Sequence, residues 1–94
     1  MAKYQFAWDT HKAIISLEKH NDSFEEAATV FDDLMFITVI DEEHSADEER
    51  YITIGLSRRG RLLMLAHTDR NGQIRIISAR KATRQEEKYY ATAD

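Results

Sequence analysis

Apolar and polar positions alternate in "YQFAWD", where Tyr4, Phe6 and Trp8 share one face, so the chain is expected to open on a short strand. Asp9 or Thr10 can cap a helix running to about His20, with Ala13, Ile14 and Leu17 as a narrow apolar stripe. Phe24, Ala27, Ala28 and Phe31 then recur at helical spacing, behind Ser23 and Glu26 at the spacing of a capping box. Beyond them the period changes to that of strands. "MFITVI" is β-branched and aromatic, and "RYITIGLS" alternates with Ile52, Ile54 and Leu56 toward the core. "LLMLAHT" is apolar on both faces, as a central strand would be. Asn71-Gly72 marks a hairpin whose return strand is "IRIISAR", in which Ser78 and Arg80 share a face and Arg75 lies on the other. Thr83 and Glu86 repeat the capping-box spacing and start a last helix. The order β-α-α-β-β-β-β-α, with helices segregated from a run of antiparallel strands, is α+β.

Composition bounds this picture. The 94 residues are expected to form a single domain, 1–94, with a modest core. Without cysteine there is no disulfide framework and no thiolate zinc site. The start lacks the apolar core of a signal peptide, and the longest apolar run, Leu62 to Ala66, is too short to cross a bilayer, so the expected location is the cytoplasm. The net charge of −4 hides a strong asymmetry. Residues 1–57 hold 4 basic against 13 acidic residues, while residues 58–88 hold 9 against 3, and seven of those nine are arginine. The planar guanidinium fork matches phosphate oxygens better than an ammonium does, so the choice of residue points toward a polyanion.

The usual catalytic constellations are missing: there is no Gly-rich phosphate loop, no nucleophile elbow and no histidine pair at zinc spacing. No cofactor signature is present, no metal site is expected, and "DEEHSADEE" reads as a solvated acidic loop. The remaining chemistry is basic. Arg80, Lys81 and Arg84 gather where the last strand meets the last helix. Arg84 falls in that helix's first turn, against the macrodipole, as if an anion or a salt bridge to Glu87 or Glu18 were nearby. Lys19 and His20 end the first helix, either as dipole compensation or as a phosphate contact and a proton-transfer group. His67, inside an apolar strand, reads as a hydrogen-bonded core histidine.

Five pieces in preserved order resemble the BrnT toxin family. They are Phe6, Trp8, Asp9 and Lys12; "KH-x-x-SFEEA-x-x-VF-D" from Lys19 to Asp32; "D-x-x-HS-x-x-EER" from Asp41 to Arg50; "IGLS-x-x-GR-L" from Ile54 to Leu62; and "RIISARKAT-R-E" from Arg75 to Glu86. The resemblance implies a RelE-like fold and ribonuclease activity that arrests growth. It also implies neutralisation by a BrnA-like ribbon-helix-helix antitoxin, through which the complex reaches operator DNA. The sequence departs from the family pattern at Ala7, where Glu is common, at Ser16 for Asn, at Asn21-Asp22 for Gly-Val, and at Leu34 for Pro.

The expected function is therefore metal-independent RNA cleavage by attack of a ribose 2′-hydroxyl on the adjacent phosphorus. Arg80 is the first candidate for charge stabilisation, supported by Arg61 and Arg84. His20 is the first candidate for proton transfer and His44 the second. Lys19, Arg58 and Lys81 are expected to contact phosphates. All of this requires guanidinium groups from the last strand and its neighbours to converge on one open patch. The alternatives are a non-catalytic module that holds its antitoxin on the same basic face, and an RNA-binding protein that does not cut.

Overall fold

In the computed structural model, which describes residues 4–93, one five-stranded sheet carries strands in the order β1-β5-β4-β3-β2. The elements are β1 (Gln5–Trp8), α1 (Thr10–His20), α2 (Phe24–Ala28), a 3₁₀ turn (Thr29–Asp32), β2 (Ile37–Ile40), β3 (Tyr51–Leu56), β4 (Leu62–Arg70), β5 (Gln73–Lys81) and α3 (Arg84–Thr92). The α+β order read from the pattern is thus the observed one. β1 joins β5 in parallel, and the other pairs are antiparallel. Among the described residues, no helix is long and apolar enough to cross a membrane.

Local chemistry places most boundaries. Asp9 caps α1 by accepting the Lys12 N–H at 3.0 Å, and Asn21 ends it in the left-handed region at φ 56. Asn71 (φ 50) and Gly72 (φ 81) make the two-residue turn between β4 and β5, which needs positive φ at both positions. Thr83 and Glu86 form a complete capping box on α3. At α2 the box is only half made. Ser23 accepts the Glu26 N–H at 3.0 Å, but the Glu26 carboxylate turns instead to Arg61.

The core lies between the sheet and the α1–α2 layer. Phe24, Leu63, Leu65 and Ile76 are fully buried there, each worth about 1.5–3 kcal/mol of burial. Phe31 anchors an aromatic cluster, with Tyr4, Phe6 and Phe36 ring centres 5.2–5.6 Å away. His67 is buried among these groups, its Nε2 2.7 Å from the Thr53 hydroxyl and its Nδ1 3.0 Å from Asp69. Burial pushes its pKa down and Asp69 only partly opposes this, so it is the hydrogen-bonded core histidine the sequence suggested.

Three expectations about faces are corrected. In α1 the buried residue is Ser16, while Ile14 and Leu17 are about half exposed. The Ser16 hydroxyl lies within hydrogen-bonding reach of the Asp22 and Ala79 carbonyls, and its small side chain lets the helix lie close on β5. In β3, Thr53 and Gly55 turn toward the helical layer, so Ile52, Ile54 and Leu56 occupy the opposite face, where Ile54 is buried as expected but Leu56 is exposed. A Cβ on Gly55 would sit 2.6 Å from Val30 Cγ1. Gly55→Ala is therefore expected to destabilise the fold by about 1–3 kcal/mol, read as a lowered urea midpoint; an unchanged midpoint would mean that the 3₁₀ turn yields freely.

The third correction concerns β5. Ala66 pairs with Ser78 but His67 pairs with Ile76, so Ile77 is the extra residue of a bulge. The bulge shifts the alternation by one. Arg75, opposite Thr68, and Arg80, opposite Met64, consequently share the sheet face away from α1 and α2.

Candidate phosphate-binding site

Several basic residues meet at one end of the sheet. β5 finishes there at Lys81, and the Ala82 N–H donates to the Leu62 carbonyl at the start of β4. The Ser57–Arg61 turn enters β4 at the same end. α1 also arrives there, since Ser16 bonds Ala79 and the Asp22 carboxylate just past the helix bonds Arg61. Lys19, His20, Arg59, Lys81 and Arg84 are all exposed at this end, and none has an ion-pair partner among the described residues. A cleft of about 210 Å³ between the α1–α2 turn and the 57–61 turn is lined by Asn21, Glu26, Arg59 and Arg61.

Arg61 is already paired with two carboxylates, which corrects the expectation of an unpaired arginine patch. Its Nε donates to Glu26 Oε2 at 2.9 Å, and its Nη2 donates to Glu26 Oε1 at 2.7 Å and to Asp22 Oδ1 at 2.6 Å. Ser57 adds a 2.7 Å bond to Glu26. The Arg61 hydrogen bonds, helped by Ser57, outweigh burial and hold the Glu26 carboxyl below its usual range. Asp22, which stands where the family pattern has an apolar residue, is completely buried, and its second oxygen has no partner. Two carboxylates thus face one guanidinium.

Arg80 is half engaged. Nη1 and Nη2 donate to the two Glu86 oxygens at 2.8 and 2.9 Å, and Nη1 also donates to the Lys81 carbonyl. Glu86 raises the Arg80 pKa and is itself held low, first by Arg80 and then by the Thr83 contacts. The Arg80 side chain remains 34% exposed, so it is oriented rather than enclosed. Arg58 pairs with Asp32 at 3.1 Å, both side chains being largely exposed. Such a pair is worth about 0–1 kcal/mol and can exchange partners.

His44 does not belong to this cluster. It bonds Asp41 at 2.9 Å in the loop after β2, and that loop is tied to the far end of β4 by the Glu48–Arg70 pair. Arg70 and Leu62 end a nine-residue strand, which separates them by about 26 Å. One phosphate cannot touch both His44 and Arg80. Arg59 is the residue that sequence reasoning missed. "SRRGR" offers three similar arginines, and only contacts to Asp22, Glu26 and Asp32 reveal which are engaged.

A family model described as "Ribonuclease toxin, BrnT, of type II toxin-antitoxin system" matches residues 8–86. Among curated proteins nothing matches. Among solved structures, the chain is similar to the Brucella abortus ribonuclease toxin BrnT, solved at 1.1 Å. The two share 15% identity over 87% of this chain and 100% of that one, with a TM-score of 0.62. At that identity the likeness speaks for the fold.

Proposed function

This chain belongs to the BrnT family of ribonuclease toxins of type II toxin–antitoxin systems, and from that premise we propose that it is an endoribonuclease of the cytoplasm, held in check by an antitoxin. The reading is supported by segments that reach one end of the sheet carrying exposed Lys19, His20, Arg59, Lys81 and Arg84, with Arg80 oriented by Glu86 on the sheet face away from α1. Cations without internal partners, gathered by three separate segments of an acidic protein, suit a phosphodiester chain.

The chemistry needs no bound cofactor. His20, in its neutral form, takes the proton from a ribose 2′-hydroxyl, whose oxygen attacks the adjacent phosphorus in line. The 5′-oxygen departs and takes a proton from solvent, leaving a 2′,3′-cyclic phosphate and a 5′-hydroxyl end. Arg80 stabilises the charge that develops on the phosphoryl oxygens, and Lys19, Arg59, Lys81 and Arg84 hold the flanking phosphates. The ribbon-helix-helix class of the antitoxin, and contact with operator DNA through it, extend the same reading to the partner.

His20→Ala is expected to slow RNA cleavage in excess EDTA by about 10²–10³-fold, with thermal stability unchanged because the side chain is exposed. Cleavage at the wild-type rate would remove His20 from the mechanism, and loss of wild-type cleavage in EDTA would refute the metal-free step. The non-catalytic reading is favoured by one observation: Arg61 and Arg80 are both paired internally. Induced expression without the antitoxin separates the two, since arrest with RNA loss supports the nuclease and normal growth supports the binding module.

A further inference from the structure

β2 is the outermost strand of the sheet and is paired on one side only, with β3. Protein edges normally carry a lysine, a proline or a bulge that discourages further pairing. The sequence of β2, Ile-Thr-Val-Ile, has none of these, and its ladder to β3 is regular. Val39 and Ile40 are exposed, as are Leu34 (93%) and Met35 in the turn that leads in. Ile37 and Val39 lie on one face of the strand and Ile40 on the other, so the free edge is apolar on both sides. A groove of about 470 Å³ runs between residues 34–38 and Ala93 beyond α3.

The other end of β2 is acidic. The loop that follows carries six carboxylates between Asp41 and Glu49. Asp41 is engaged with His44 and Glu48 with Arg70. Glu42, Glu43, Asp47 and Glu49 remain exposed, with no ion-pair partner among the described residues. An apolar edge ended by unpaired negative charge selects its complement.

We propose that β2 is a strand-addition site for an extended segment of a protein partner, built of alternating β-branched or aromatic residues and ended by two or more lysines or arginines that meet the 41–49 loop. The segment's backbone takes up the N–H and C=O groups that alternate residues of β2 turn outward, and its side chains cover Val39, Ile40 and Leu34. A second copy of this chain supplies no cationic flank in either direction, because its own β2 is preceded by Asp32 and Asp33 and followed by the same carboxylates. The proposal rests on the toxin reading only in taking the antitoxin as the source of the segment. β2 lies three strands from β5, about 14 Å, so this segment would anchor the partner and leave the cationic end of the sheet to other parts of it.

The test uses the full chain and labelled ten-residue peptides, KKTVTVYVTS, its charge-reversed form EETVTVYVTS, and a third with the lysine pair at the other end, followed by fluorescence anisotropy. One of the lysine peptides is expected to bind at least about tenfold tighter than the glutamate peptide, with a salt-dependent affinity. Which lysine peptide wins reports whether the added strand is antiparallel or parallel to β2. The double variant Val39→Lys with Ile40→Lys is expected to lose that binding at least about tenfold while keeping the wild-type melting temperature. Equal affinity for lysine and glutamate peptides would overturn the proposal, as would unchanged binding by a folded double variant. Self-association of the free protein abolished by the same substitutions would also overturn it, by assigning the edge to a second copy. RNA cleavage by the double variant is read separately: if the peptides behave as expected and the wild type cuts no RNA, the nuclease reading fails and the edge site stands.

Discussion

Replacing Arg61 with alanine is expected to destabilise the protein by about 3–5 kcal/mol, the usual cost of leaving buried charge uncompensated. A domain of this size has about 5–15 kcal/mol in total, so the loss is a large fraction of it. The reason is the two-to-one arrangement. Asp22 has no exposure and Glu26 very little, and both direct oxygens at a guanidinium 2.6–2.9 Å away. Asp22→Asn removes the surplus charge and leaves the bidentate Glu26 pair intact, so its expected cost is within about 1 kcal/mol. Urea unfolding of both variants checks the contrast, and equal losses would show that the pair of carboxylates does not act through Arg61. A pH dependence follows with a definite sign. The folded Glu26 carboxyl sits below its unfolded value of about 4.5, so its contribution is complete above that pH and is lost as pH falls below it. Arg61 is pushed the other way and stays charged throughout. A melting temperature that falls more steeply below pH 4.5 in wild type than in Glu26→Gln is the expected record.

The second large effect is on activity. Arg80→Ala is expected to lower RNA cleavage by about 10²–10³-fold, the loss typical of removing one well-placed donor to a developing oxyanion. Stability should fall far less, because Glu86 keeps its place on α3 through the Thr83 N–H at 2.8 Å. Arg80→Lys keeps the charge but loses the planar fork, so an intermediate rate is expected. Glu86→Gln tests orientation alone. It should raise KM or lower kcat while leaving the arginine charged, whereas a merely structural pair would shift only the melting temperature. Wild-type cleavage by Arg80→Ala would move charge stabilisation to Arg59, Lys81 and Arg84.

The anchoring of α3 helps explain why Arg80 stays in place. No residue of that helix is buried, and it is held by polar contacts at both ends. Tyr90 donates to Asp33 Oδ2 at 2.6 Å, and Asp33 also accepts the Leu56 N–H and, through its other oxygen, the Met35 N–H. Burial alone would raise the Asp33 carboxyl, but these three donors hold it low. Tyr90 in turn is pushed up to about 12, first by its bond to Asp33. The clasp survives across the pH range in which RNA cleavage would be assayed.

What the chain determined by itself was whatever acts over a few residues. The caps at Asp9, Ser23 and Thr83, the turn at Asn71-Gly72, and the doubly apolar β4 were all legible, because hydrogen bonds and φ preferences at those points involve near neighbours. The order of elements, and with it the α+β class, followed from the same local signals. Only the folded chain decided which charges meet. Glu26 and Arg61 are 35 residues apart, and Asp22 and Arg61 are 39 apart. No periodicity predicts that Arg61 is paired with two carboxylates while Arg59 has no ion-pair partner among the described residues. The face of Arg75 depended on one extra residue at Ile77, since a side-chain period of two turns a single insertion into a full reversal. His44 was separated from Arg80 by the length of β4, a distance that exists only once the strands are paired. Position along a chain sets local geometry, but electrostatics depends on distance in space, and that is settled by packing.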